Sequence, residues 1–320
     1  MTSEHSMRET RQIEFEKMLS SPEFSCLNYE AIQILREAHT ANDERYSNLR
    51  QLLKEVESNN ITLTSEHTQL ITELHMAAEV QESILPTPPY FNNEQCGVGA
   101  LCKPASIIGG DFFNIIDGKS QQPEKYGRSL IFTIGDAVDH GMPAALTAFG
   151  VSILVKGFVN RGIIGDFPAF ISEVNFDLLD FKKGFTTMTV ASLDINNGLL
   201  SWCSAGQERP IVFDPQGNIV DTSRTFIGPP MGVMLDLPLV VEEIWLAPGS
   251  TVVFPTDGCR EASNNASEPL GLFAFTQMVR ERLDLLAQDL CEEVVKAVLN
   301  YSEKAQSDDD LTLIAIKYKK

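Results

Sequence analysis

The first 85 residues hold no glycine and a single proline, Pro22, whereas all 21 glycines of the chain fall later. Glycine and proline are the residues that most readily interrupt a helix, so this segment is confined largely to helix. Pro86, Pro88 and Pro89 then end it sharply. From Tyr46 the spacing alternates three and four. Tyr46, Leu53, Asn60, His67, Leu74 and Gln81 form one column, and Leu49, Val56, Leu63, Leu70, Ala77 and Ile84 form the other, in register over six heptads. A strict 3.5-residue period drifts off a single flat face, which favours supercoiled pairing over a helix lying on its own domain.

Asn60, His67 and Gln81 place polar groups in the seam. Such groups fix register and oligomer state and lower stability. The segment therefore reads either as a plain dimerisation element or as a linker that transmits a signal by tightening or shifting. Residues 1–45 read as partly helical with a break at Pro22 among Ser20, Ser21 and Ser25, and they carry no identifiable chemistry. They would bind a partner or complete a helical bundle. The expected domains are 1–45, a helical region of unknown role; 46–86, a coiled-coil linker; and 87–320, a compact domain.

After Pro89 short β-rich runs alternate with two long helical stretches. Strands are expected at Gly97–Lys103, Phe112–Ile116, Leu130–Ile134, Thr187–Leu193, Leu199–Ser204, Ile211–Asp214, Val240–Trp245, Thr251–Phe254 and Leu311–Tyr318. Asn196-Asn197-Gly198 reads as a hairpin turn. Helices are expected at Pro143–Asn160, Phe167–Asp180, Leu272–Leu286 and Leu290–Ser302. Hairpin-linked strands with clustered helices imply an α+β fold of antiparallel sheets flanked by helices.

The formal net charge of −19 argues against nucleic-acid and anionic-membrane binding, which need clustered Lys and Arg. Residues Met1 to Lys17 show no apolar core of a signal peptide. No run looks long enough to span a bilayer, Val151 to Val159 being broken by Lys156. The six cysteines show no metal or redox spacing and read as incidental thiols of a reducing cytoplasm.

Four acidic motifs stand in order: Gly-Gly-Asp at 109–111, Gly-Asp-Ala at 135–137, Thr-Asp-Gly at 256–258 and Asp-Asp-Leu-Thr at 309–312. Each sits at the end of an apolar, strand-like run, so a sheet can bring the acids together. Singly they mean little; Asp-Gly is a turn and Asp308–Asp310 a solvated loop. Together, converging carboxylates need positive charge between them, and a pair of hard divalent cations supplies it.

With these motifs the chain resembles the metal-dependent, protein phosphatase 2C-like phosphatases, and more closely the branch of sporulation stage II protein E and RsbU. The resemblance rests on Lys103-Pro104-Ala105, Gly109-Gly110-Asp111-Phe112, Gly135-Asp136, His140-Gly141, Pro143-Ala144-Ala145, Ser204-Ala205-Gly206, Pro230-Met231-Gly232-Val233, Thr256-Asp257-Gly258 with Glu261-Ala262, and Asp309-Asp310-Leu311-Thr312. It spans roughly residues 77 to 320, including the approach helix Ala77 to Pro86. It implies a β-sandwich flanked by helices with two Mn²⁺ or Mg²⁺ ions at one end. Asp136 would bridge them, Asp111 and the Ala137 carbonyl would complete one site, and Asp257 and Asp309 the other. A metal-activated water would then be the nucleophile.

The chain departs from the branch at Ala137-Val138-Asp139 and at Gln207, where histidine is common. Neither departure removes an implied ligand. Asp139 would make an outer contact or face solvent. His140 reads as a loop or helix-start residue, and Lys103 is a candidate phosphate contact. The resemblance further implies a serine/threonine phosphatase acting on a phosphorylated STAS-domain anti-sigma-factor antagonist in bacterial partner switching. A homodimer, with an upstream activator reading the N-terminal helices, fits that picture. The alternatives are a non-catalytic phosphoprotein scaffold and a small-molecule phosphoesterase.

Overall fold

The structure, a computed structural model, describes residues 2–24, 27, 29–88, 90–117, 129–138, 141–161, 166–180, 185–303 and 307–320. By contact the chain divides into two units, Met1–Thr72 and Glu73–Lys320. In the first, helix α1 (Thr2–Leu19) is followed by a 3₁₀ turn (Pro22–Phe24) and by the start of α2 (Tyr29–Glu82). The Arg36 guanidinium donates to both carboxylate oxygens of Glu16 at 2.7 and 3.1 Å, and Phe15 stacks on His39 at 4.0 Å. Helix α2 runs unbroken through residue 46. Along it Leu49, Leu53, Val56, Leu63 and Leu70 are all exposed.

The second unit holds two antiparallel sheets. Strands β1 (Phe91–Asn92), β2 (Cys96–Lys103), β7 (Ile211–Phe213), β8 (Ile219–Val220), β10 (Thr251–Pro255) and β11 (Leu311–Tyr318) form one, in the order β1-β2-β11-β10-β7-β8. Strands β3 (Asp111–Asp117), β4 (Ser129–Ala137), β5 (Thr186–Asp194), β6 (Leu199–Ala205) and β9 (Glu242–Trp245) form the other, in chain order. Helices α3 (Met142–Asn160) and α4 (Phe167–Asp180) cover the outer face of the second sheet. A short α5 (Gly258–Glu261), α6 (Gly271–Arg280) and α7 (Ala287–Ser302) pack on the first.

Successive strand residues point to opposite faces, so a central strand covered on both sides must be apolar throughout. Phe113, Phe132, Ile134 and Trp202 fill the space between the sheets with Val252, Phe254, Ile314 and Ile316. Their neighbours Phe112, Ile131 and Cys203 face Val151, Val155, Phe170 and Val174 of α3 and α4. Val253, Leu313 and Ala315 face Phe275, Val279, Leu290 and Val294 of α6 and α7. These are the four layers, helix, sheet, sheet, helix, that the α+β expectation requires. The expected hairpin is present, with Gly198 at φ 79° and its N–H on the Asp194 carbonyl at 2.8 Å.

The structure corrects several expectations. The helix expected to reach Leu286 stops at Arg280, and the next begins at Ala287 rather than Leu290. Between them the N–H groups of Arg282, Leu283 and Leu285 bond to carbonyls three residues back, so tight turns interrupt the helix while apolar spacing continues. Strands β1 and β8 and helix α5 were not expected. Residues Met142–Val159, with mean hydropathy 1.7, are long and apolar enough to cross a membrane, contrary to the expectation for this stretch. One lysine does not lower an 18-residue average enough to exclude it. Here its Ala144, Ala148, Val151 and Val155 face is core, and the Lys156 ammonium donates to the Ile84 carbonyl. Five cysteines are free and buried or half-buried; Cys26 lies outside the described residues.

Candidate metal centre

Asp111 opens β3 and Asp136 lies one residue before the end of β4, and the two face each other directly across the antiparallel ladder. In the other sheet β10 ends at Pro255 opposite Leu313, so Asp257 just beyond it and Asp309 just before β11 leave neighbouring strands at the same end. Both sheets thus bring an acid pair to one edge of the sandwich. The Ala137 carbonyl lies there too: a Cβ on Gly110 would come within 2.7 Å of it and 3.1 Å of Asp136 Oδ1, so glycine is what lets the strand start approach this closely.

Cross-sheet contacts hold the acids in place. Thr256 Oγ1 donates to Asp111 Oδ2 at 2.9 Å. The buried Asp310 carboxylate accepts the N–H groups of Ala105 at 2.7 Å, Gly110 at 2.6 Å and Asp111 at 3.2 Å. A Cβ on Gly109 would fall onto the same carboxylate, and one on Gly258 onto the Asp310 carbonyl. On the other side Gln81, in the last turn of α2, donates from Nε2 to the Gly109 carbonyl at 2.7 Å and accepts the Gly109 N–H at 3.3 Å. Gln81, which its spacing places in a paired-helix seam, thus hydrogen-bonds within its own chain.

Burial, then the charges of Asp136 and Asp310, push the Asp111 carboxyl well above its ordinary range. Burial, then Asp257, Asp309 and Asp310, push Asp136 up to about 7. Asp309 is raised by burial first and by Asp257 and Asp310. Among the described residues no salt bridge joins any of these acids to a lysine or arginine. Arg260, which feels Asp257, is engaged by Glu208 at 2.5 Å and Glu261 at 3.1 Å. Also among the described residues, no three acidic, histidine or cysteine side chains close around one ion by themselves. A cluster of oxygen donors at strand ends, short of positive charge, fits magnesium or manganese, which keep several waters in their shell and need few protein ligands.

With its folded value near 7, Asp136 holds a proton that the unfolded chain gives up nearer 4, so stability falls as pH rises between those limits. In EDTA the melting midpoint should be higher at pH 5.5 than at pH 7.5, and Asp136→Asn should flatten that dependence. Scanning fluorimetry reads it; a wild-type midpoint that climbs with pH contradicts the assignment.

The expected site residues Asp111, Asp136, Ala137, Asp257 and Asp309 all reach this one edge. Lys103 ends β2 opposite Leu311, at the same edge. Asp139 and His140 lie outside the described residues. Of the supporting groups, Asp310 and Thr256 were read from the sequence only as members of their motifs, and neither they nor Gln81 were given a role at this edge. The one signal for Gln81 was its polarity at a seam position.

The family model for stage II sporulation protein E (SpoIIE) matches residues 126–319. The chain belongs to the SpoIIE family. That family groups with the PP2C-like, metal-dependent serine/threonine phosphatases. The fold of this SpoIIE-family chain is similar to the SiaA-PP2C domain of Pseudomonas aeruginosa, with TM-score 0.65 and 18% identity, covering 79% of this chain and 98% of that one. It is similar to the RsbU and RsbW domains of Rv1364c from Mycobacterium tuberculosis, with TM-score 0.58 and 22% identity, covering 70% and 60%. It is also similar to the SpoIIE phosphatase domain and regulatory fragment from Bacillus subtilis, with TM-score 0.57 and 16% identity, covering 70% and 64%. Protein IcfG of Synechocystis is 24% identical over 280 residues, 76% of this chain and 41% of that protein, so the chain spans less than half of that relative's length.

Proposed function

We propose that this chain is a metal-dependent protein serine/threonine phosphatase in which Asp111, Asp136, Asp257, Asp309 and the Ala137 carbonyl hold two Mn²⁺ or Mg²⁺ ions. The observation that carries this reading is the pairing of Asp111 with Asp136 across one sheet at the edge where the other sheet delivers Asp257 and Asp309. Bound divalent cations would supply Lewis acidity and an activated water for in-line displacement at phosphorus. The chain's part is positional: Asp310 and Thr256 fix the Asp111 loop, and the glycines keep side chains off the edge. The cations would also offset the repulsion between a chain of net charge −19 and an anionic substrate.

The proposed substrate is a phosphorylated STAS-domain anti-sigma-factor antagonist in a partner-switching pathway of the bacterial cytoplasm. The occurrence of RsbU with RsbW domains in a protein of similar fold supports this class. Phosphate release from a phosphoserine STAS protein, measured beside p-nitrophenyl phosphate and phosphoserine, separates the alternatives. Turnover of the protein alone supports the proposal. Comparable turnover of the small esters points to a general phosphoesterase, and tight binding without turnover to a scaffold.

Regulation through the N-terminal helices is the second part. Exposed Leu49, Val56, Leu63 and Leu70 on α2 support pairing with a second copy, and the Gln81–Gly109 hydrogen bonds give α2 a direct hold on the Asp111 loop. Replacing Asn60 and His67 by leucine should tighten dimerisation in sedimentation experiments and change basal activity at least several-fold. Tighter dimers with unchanged activity would remove the switch.

A further inference from the structure

Gln207 is 3% exposed and lies just past the end of β6, yet its side chain joins the two sheets. Its Oε1 accepts the Thr187 hydroxyl at 2.5 Å, and its Nε2 donates to the Pro255 carbonyl at 3.1 Å. Thr187 belongs to the second sheet and in turn accepts the Asp136 N–H at 3.1 Å. Pro255 ends β10 in the first sheet, two residues before Asp257. One amide therefore connects the backbone of Asp136 to the strand that delivers Asp257.

The orientation of that amide is dictated by its partners. Pro255 offers only a carbonyl, which must receive an N–H, so the amide oxygen faces Thr187. Thr187 has one proton and two acceptors in reach, Gln207 Oε1 at 2.5 Å and the Asp136 carbonyl at 3.3 Å, and the shorter contact takes it. Its oxygen is left to receive the Asp136 N–H. Every group in the chain has one role, and only a side chain with a donor and an acceptor at this reach completes it.

We propose that Gln207 is a positioning residue for the acidic centre: its amide ties the sheets together at this edge and sets the separation of Asp136 from Asp257. The inference rests on reading those acids as metal ligands. Polar groups that orient ligands from behind typically govern metal affinity by roughly 10–100-fold. The loss of a tie between two ligands should fall in that range even when the fold survives.

The test is Mn²⁺ binding by calorimetry on the full chain, with circular dichroism and EDTA melting curves as the check on folding. Gln207→Met keeps length and removes both hydrogen bonds; Thr187→Val cuts the same chain one link away and serves if Gln207→Met fails to fold. Thr189→Val is the control, because Thr189 lies two residues further along the same strand and is more deeply buried than Thr187, but its hydroxyl pairs with Ser204 at 2.6 Å. The expected result is binding about 10–100-fold weaker in Gln207→Met and Thr187→Val, with Thr189→Val close to wild type. Wild-type affinity in both variants overturns the inference, as does an equal loss in Thr189→Val. A folded wild type that takes up no Mn²⁺ overturns the site reading itself, and the inference with it.

Discussion

Asp136→Asn should abolish phosphate release, by at least about a thousandfold, and at the same time raise the melting midpoint of the metal-free protein. Both effects have one cause. Asp136 sits opposite Asp111 in the ladder and feels Asp257, Asp309 and Asp310, with no salt bridge to a cation among the described residues. Like charges directly opposite each other weaken a sheet. Asparagine keeps the shape and removes one charge, so the cluster repels itself less. A relief of about 1 kcal/mol corresponds to a rise of roughly 2–4 °C for a domain of this size. The same change removes the acid placed to touch both ions. Phosphate release and scanning fluorimetry in EDTA check the two halves. Lost activity with a lowered midpoint would mean that Asp136 is structural and that the electrostatic account is wrong.

Asp310 should behave in the opposite way, although it is the adjoining acid in the same cluster. Its carboxylate accepts three backbone N–H groups from the segment 105–111, so it organises the loop that presents Asp111. Asp310→Ala leaves those donors without their acceptor in a buried place. Hydrogen bonds to charged groups are worth about 1.5–3 kcal/mol each, and with partial relaxation the loss should be about 3–5 kcal/mol. Asp310→Asn should rescue little, because its amide nitrogen presents a donor to donors. Urea unfolding of the metal-free chain reads this directly. A neutral or stabilising Asp310→Asn would show that this acid is one more repelled carboxylate and not the holder of the loop.

The contrast between these two acids marks how far the sequence could be read. That Asp111, Asp136 and Asp257 stand at strand ends was legible, because each follows or opens an apolar run bounded by glycine. The layered fold was legible for the same reason: β4, β10 and β11 are apolar on both faces, which only a doubly covered strand can be. Asp310 was visible only as the second acid of a repeated pair. Its partners lie about two hundred residues away, and a contact of that separation leaves no local pattern. Gln207 was noticed as a departure from the histidine common in the branch, without a partner to explain it. Gln81 was legible only as a polar residue at a heptad position, because its hydrogen bonds to Gly109 join residues 28 apart in the chain. The two-residue strands β1 and β8 are too short for any alternation to show. The turns between α6 and α7 were hidden because Leu283, Leu285 and Leu286 continue a helical apolar spacing after the hydrogen bonding has changed.

Mn²⁺ uptake by the full chain decides whether the acids at this edge of the sandwich form a metal centre. Titration calorimetry paired with equilibrium dialysis gives the number of ions bound and the heat of binding. The wild-type chain should bind two ions and Asp136→Asn at most one. A folded wild-type chain that takes up none has no metal centre at this edge.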